Sequence, residues 1–483
     1  MGHSILYTPD TALGAVGKEA LYHLSVDKLL EEAGVNTQDR GYTLTVLTKP
    51  PIDTTTVIYR QNTVKDFERH PVLLEQLSDF YERFSALSHD HEAIRKEAMR
   101  TKISGGMGHG AAKNILQSNA VTLKRALLFI KELASLFDGV ALSSDALKGL
   151  SLRAKEIAAS QTTEELLTMC GRYEYTLTGK LDYRLALNDF GKIESVVLVG
   201  EKSARQTKQD TRRWPFSKKN TEPEMPCSAI HVTESRLFDD LVSEPIAAFS
   251  SAFDSVSRQI FAEFMPVGKE LAFYRACAAM VKLAKRTGAP LCYPSVKENC
   301  VTECEELYDM LLLAILKSKD KVTPNSISLS ENGRGTVLFG NNGSGKTVFL
   351  RSVGTLRLFA QSGLPVCAEK ASVSLAEQII THFSQSEKDF AKGNDAGRFE
   401  QECSRIAETI DHLKTGSLVL FNEIFQSTAY EEGAKGLAPL LRWLSQNGVN
   451  WILVSHIHAL RQYLTADDAD FYRTSEGFVV EKE

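Results

Sequence analysis

Between Thr336 and Leu350 the chain reads TVLFGNNGSGKTVFL, an apolar run, a glycine loop and the start of a helix. Gly340, Gly345, Lys346 and Thr347 fill the fixed positions of a G-x-x-x-x-G-K-[ST] loop, with Asn341, Asn342, Gly343 and Ser344 between them. Glycines let the backbone turn its N–H groups onto phosphate oxygens, and the following helix adds the positive end of its dipole. Lys346 is placed to reach the β- and γ-phosphates and the Thr347 hydroxyl to hold Mg²⁺, so ATP and Mg²⁺ are the expected ligands. Two buried-type strands follow, SLVLFNE at 417–423 and NWILVSH at 450–456. Asn422 and Glu423 end the first, where a metal ligand and a group that activates water belong; His456 ends the second, where it would sense the γ-phosphate.

The elements that must carry these residues divide by pattern. From 301 to 483 the pattern is α/β. Residues 1–170 read as the first part of a helical core or lever: a short strand at 44–53 stopped by Pro50 and Pro51, a helical region from Val64 to Phe84 interrupted near Pro71, and another from Leu123 to Phe137. The glycines at 105, 106, 108 and 110 form a connector, and His89-Asp90-His91 splay around a helix to make a solvated helix end rather than a metal site. Residues 171–235 read as a β-rich insertion, with alternation at Tyr173, Tyr175 and Leu177, from Leu181 to Leu187, at Val196–Val199 and at Ile230 and Val232. It holds a basic run, Lys202, Arg205, Lys208, Arg212, Arg213, Lys218 and Lys219, suited either to solvent or to a phosphate backbone. Residues 236–300 read as a long returning lever helix from Phe249 to Val281, kinked near Pro266.

Composition bounds the rest. The 483 residues are 43% hydrophobic and 24% charged, with 56 Lys and Arg against 61 Asp and Glu; a net charge of −5 gives no global attraction to polyanions. No segment reads as a signal peptide or a bilayer span, so a cytoplasmic location and no membrane partner are expected. The eight cysteines lack paired metal spacing and read as free thiols.

Over 301–460 the chain resembles the MutS family of DNA mismatch-repair ATPases, part of the wider ABC class. The stretch 340–371 is similar to the family's phosphate loop, helix and Gly-x-x-Val-Pro-Ala turn, with Cys367 in place of the Pro. Phe399 and Glu402 match its Ser-Thr-Phe-x-x-Glu segment; NEIFQSTA at 422–429 resembles Asp-Glu-Ile-Gly-Arg-Gly-Thr-Ser; VSH at 454–456 is similar to its switch; and Asn325 matches the segment that lies against adenine. The resemblance implies a multidomain chain, a helical lever and core with a small β clamp insertion followed by an α/β P-loop ATPase domain. It further implies a homodimer that sandwiches ATP and a clamp that contacts DNA. Asn422 stands in place of the family's metal-supporting Asp, Gly397 in place of its signature Ser, and Val322 where an aromatic would stack on adenine. Nothing before residue 44 resembles the family's mismatch-reading and connector domains, and 27 residues follow His456 without the family's Ser-Tyr-Gly segment. The expectation is therefore an ATP-gated DNA-binding ATPase, slow in hydrolysis, acting on DNA structure through a shortened dimer interface. The alternative is a nucleotide-dependent interaction scaffold with little hydrolysis and no DNA binding.

Overall fold

The computed structural model describes residues 2–103, 109–174, 181–187, 193–201, 232–297, 301–330, 334–383, 398–425 and 429–483. The basic residues Lys202, Arg205, Lys208, Arg212, Arg213, Lys218 and Lys219, the glycines at 105, 106 and 108, and Gly397 lie outside the described residues.

In chain order, β1 (Ala15–Val16), α1 (Lys18–His23), α2 (Val26–Glu32), α3 (Thr37–Leu47) and α4 (Thr54–Arg69) come first. Two longer helices follow, α5 (Pro71–Ile103) and α6 (His109–Leu136), then α7 (Asp145–Ala159), α8 (Gln161–Glu174), the antiparallel pair β2 (Leu181–Leu187) and β3 (Ile193–Glu201), and α9 (Val232–Thr287). The remainder alternates: β4 (Ser295–Lys297), β5 (Thr302–Leu307), α10 (Met310–Leu316), β6 (Asn325–Leu329), β7 (Gly335–Phe339), α11 (Lys346–Ser362), β8 (Lys370–Ser374) and β9 (Gln378–Phe383). It ends with α12 (Arg398–Ile410), β10 (Leu418–Asn422), α13 (Tyr430–Gln446), β11 (Asn450–Ser455), α14 (Leu460–Tyr463), β12 (Ala469–Thr474) and β13 (Val480–Lys482).

The chain divides into two compact units, one of residues 1–3, 76–139 and 150–268, the other of 4–75, 140–149 and 269–483. These units part elsewhere than at the expected limits of 170, 235 and 300, because N-terminal segments pack into the α/β unit. In the first unit, aromatic rings form the core of a helical body: Phe84 lies 5.6 Å from Phe80 and 5.2 Å from Phe261 between ring centroids.

The second unit holds two sheets. One has seven strands in the order β1-β9-β10-β11-β7-β12-β13, parallel throughout except for the β12–β13 edge; the other has four, β4-β8-β5-β6. Every residue of β7 and of β10 is buried, as a strand covered on both faces requires. The N-terminal segment is bound into this unit: Glu270 of α9 accepts from Ser4 Oγ and from the Ile5 backbone at 2.7 and 2.6 Å, and Ala15 pairs with Gln378.

Several local expectations are corrected. The 44–53 segment is not a strand: residues 44–47 end α3, whose Asn36 cap accepts from Asp39 N at 2.9 Å and whose Val46 and Leu47 are buried, and residues 48–53 lead through an isolated bridge at Pro51 to the Asp53 cap of α4. Pro71 begins α5, where a first-turn proline loses no hydrogen bond. Tyr173 belongs to α8, its ring 5.8 Å from Phe253, not to a strand, and Val232 begins α9. That helix starts before the expected Phe249 and continues through both Pro245 and Pro266, with Phe264, Val267 and Leu271 fully buried around the second proline. His91 is buried rather than solvated, its Nε2 3.0 Å from Asp254 Oδ1; burial pulls its pKa down while the carboxylate opposes the shift.

Candidate nucleotide site

Strands β10, β11 and β7 lie side by side and parallel, so their C-terminal ends open onto one edge of the sheet. Register aligns them closely: Asn422 stands opposite Val454, and Ser455 opposite Phe339. Three segments far apart in sequence thereby deliver the glycine loop, the Asn422-Glu423 pair and His456 to one place.

The loop itself is shaped by its glycines. Gly343 and Gly345 adopt φ of 78° and 88°, the left-handed region, and a Cβ on Gly340 would stand 1.9 Å from Thr474 Oγ1. Thr474 Oγ1 donates to Ser344 Oγ at 2.7 Å, pinning the loop from β12. Lys346 opens α11 and is 3% exposed; its Nζ donates to the Asn341 carbonyl at 2.7 Å and lies 3.5 Å from Glu423 Oε1. Burial draws the lysine pKa below its ordinary value, and the Glu423 carboxylate acts against that shift.

The Thr347 hydroxyl donates to Asn422 Oδ1 at 3.1 Å, which joins the helix start to the end of β10. Glu423 is a non-glycine residue at φ 55°, and Phe425 is another at φ 60°. Such backbone persists where its surroundings hold it: Glu423 N donates to the Val454 carbonyl, and Phe425 N donates to Glu402 Oε2, each at 2.9 Å. His456 Nδ1 lies 3.0 Å from the Gly340 carbonyl, which can only accept, so that nitrogen carries the proton. Its Nε2 stands 2.7 Å from Glu423 Oε1 without the alignment of a hydrogen bond.

A cavity of about 720 Å³ opens before the loop, lined by Gly343, Lys346, Thr347 and Glu423 and by Val322 and Phe478, the last beside Gly345. Asn325 also borders it, but its amide is engaged by the C-terminal segment: Nδ2 donates to the Phe478 carbonyl at 3.3 Å and Oδ1 accepts from Val480 N at 2.8 Å. The donor set fits a nucleoside triphosphate with Mg²⁺. A glycine cradle that tolerates no Cβ at Gly340, a buried ammonium, and a hydroxyl and an amide oxygen 3.1 Å apart stand together, with Lys346 and Thr347 lining a cavity of ligand size.

All of Gly340, Asn341, Asn342, Gly343, Ser344, Gly345, Lys346, Thr347, Asn422, Glu423 and His456 lie at this edge of the sheet. Sequence reasoning missed Thr474 and Phe478, which reach the site from β12 and the turn after it. Among the described residues no group of three or more acidic, His or Cys side chains could hold a metal ion, and no helix is long and apolar enough to cross a membrane. The described cysteines are free thiols; burial pushes Cys304 and Cys367 up to about 12.

Comparison with known proteins bears on the same edge. The family model described as MutS domain V matches residues 336–471. An "Endonuclease MutS2" of Alkaliphilus oremlandii is 31% identical over 149 residues, covering 31% of this chain and 18% of that protein. The Thermus thermophilus "Endonuclease MutS2" is 30% identical over 139 residues, 29% of this chain and 18% of the relative. A "DNA mismatch repair protein MutS" of Microcystis aeruginosa is 31% identical over 223 residues, 44% of this chain and 24% of the relative. The chain thus spans no more than about a quarter of the length of these relatives.

Proposed function

We propose, from the premise that this chain belongs to the MutS family through its domain V at 336–471, that it is an ATP-gated, DNA-binding ATPase. In this reading it works in the cytoplasm, hydrolyses ATP slowly, and acts on DNA structure in repair or recombination rather than on mismatches. The observation that carries it is the convergence of Lys346, Thr347, Asn422, Glu423 and His456 at contacts of 2.7–3.5 Å, with Lys346, Thr347 and Glu423 lining the cavity. Lys346 neutralises the β- and γ-phosphates, and the glycine loop offers its backbone N–H groups to them. Mg²⁺, held by the Thr347 and Asn422 oxygens, would supply the charge that screens the leaving phosphate. Glu423 orients and deprotonates the attacking water, and His456, beside it, would sense the γ-phosphate. A neutral amide at 422 leaves the metal one negative charge short, which is why turnover is slow.

ATP sandwiched between two copies, with Lys346 and Thr347 of one and the 397–402 region of the other, would couple hydrolysis to dimerisation. The basic run from Lys202 to Lys219 would then meet the DNA backbone, independent of sequence. The relatives' names, an endonuclease and a DNA mismatch repair protein, support nucleic acid as the partner class.

The test is binding of the full chain to branched and linear duplex DNA, with and without ATP, across about 50 to 200 mM salt. Affinity is expected to fall steeply with salt, to favour the branched form and to respond to ATP. Neutralising Lys202, Arg205, Arg212 and Arg213 together should flatten the slope of log K against log salt by about 3 to 4. The second reading, an interaction scaffold, draws on the neutral Asn422; ATP-driven dimerisation with no affinity for any DNA form would put it first.

A further inference from the structure

Residues 474–480 form a strap along the cavity, and three side chains tie it down. Thr474 Oγ1 donates to Ser344 Oγ of the glycine loop at 2.7 Å, and Thr323 Oγ1 donates to the Gly477 carbonyl at 2.9 Å. The Asn325 amide grips the strap on both sides of Val479, through the Phe478 carbonyl and Val480 N. Between these ties Phe478 is 56% exposed, at φ 66°, a backbone conformation that side chains rarely adopt. Its ring lines the cavity, with Cδ1 3.2 Å from where a Gly345 Cβ would stand.

A phenyl ring gains free energy by leaving water, so a strap tied at three points that holds one out in a ligand-sized cavity is arranged for something other than packing. We infer that Phe478 is the stacking platform for the nucleotide base, an inference that rests on the nucleotide-binding reading above. The position where the family resemblance led to an expected aromatic holds Val322, which lines the same cavity; the ring arrives from the C-terminal strap instead. Leu307, Leu312 and Leu316 make the neighbouring wall apolar. The Asn325 amide gives one of its two N–H donors and one oxygen lone pair to the strap, which fixes its orientation beside the cavity. A ring stacked on an apolar wall grips any purine face. The ligand class is therefore a purine nucleoside triphosphate, with little discrimination between adenine and guanine.

The experiment is equilibrium binding of ATP, GTP and inorganic tripolyphosphate to the full-length wild type, Phe478→Ala and Phe478→Trp, with thermal unfolding as the check on folding. Phe478→Ala is expected to weaken ATP and GTP by about ten-fold or more while leaving tripolyphosphate unchanged, and Phe478→Trp to restore both nucleotides. Wild-type affinities for ATP and GTP should agree within about ten-fold. Unchanged ATP binding by Phe478→Ala, or an equal loss for tripolyphosphate, would overturn the platform. ATP favoured over GTP by more than about a hundred-fold would overturn the purine tolerance. A wild type that binds neither nucleotide contradicts the nucleotide-binding reading itself, a result distinct from all of these.

Discussion

Asn422 and Glu423 are neighbours at the end of β10 and unlike in charge, one a neutral amide and the other a carboxylate. Glu423 keeps a carboxylate, 2.7 Å from His456 Nε2 and 3.5 Å from the Lys346 ammonium, on backbone turned to φ 55°. Asn422 offers an amide oxygen to Thr347 at 3.1 Å, in the place where a carboxylate would also fit. On the proposed reading, the side that would face the attacking water thus retains its charge while the side that would face the metal retains only its shape. At about 4 Å a unit charge is worth roughly 4 kcal/mol near a protein surface, so the missing charge falls on metal retention and phosphoryl transfer more than on nucleotide capture. In the proposed site, capture would depend on the glycine loop and Lys346, whose positions are all filled.

The largest effect should come from the water-facing side. Glu423→Ala is expected to lower ATP turnover by about 10²–10⁴-fold with ATP affinity within a few-fold, measured by single-turnover hydrolysis beside equilibrium binding. Unaltered turnover would break the comparison, because the retained charge would then have no part in chemistry.

A second effect comes from behind the same strand. His382 of β9 stands opposite Phe421, the residue before Asn422, and stacks on its ring at 5.6 Å. Burial, with help from the Arg405 and His23 charges, pushes the His382 pKa down to about 4. An unfolded histidine titrates near 6.5, so below that pH the unfolded chain takes up a proton that the buried ring refuses. This contribution to stability is complete above pH ~6.5 and is lost as pH falls toward 4, by about 3 kcal/mol in all. Unfolding of wild type and His382→Phe, compared at several pH values, should show a flatter acid limb in the variant; parallel limbs would remove His382 as the cause.

How much of this could be read in advance depended on how local the signal was. The loop from Gly340 to Thr347 is contiguous, and each residue's chemistry follows from its own type and spacing. Glu423 and His456 were legible because each ends a continuous apolar run, although their contact needed β11 to lie between β10 and β7. Phe478 and Thr474 had no local mark: a phenylalanine after a glycine means nothing until Asn325, about 150 residues earlier, is seen to tie its backbone. The two residues of β1 carry no readable period, and their pairing with Gln378 and Ile379 is a matter of tertiary packing. His91 was misjudged for a related reason, since its burial depends on Asp254 and Phe261 of α9. Tyr173 fits either period over so short a window, and burial against Phe253 decided for the helix.

The measurement that most directly tests the uneven site is Mg²⁺-dependent ATP turnover of wild type beside Asn422→Asp at matched protein concentration. Restoring the carboxylate should raise turnover about ten-fold and lower the Mg²⁺ concentration needed for half-maximal rate, with ATP capture little changed. A variant no faster than wild type, with the same Mg²⁺ requirement, would contradict the claim that Asn422 limits the proposed ATP turnover.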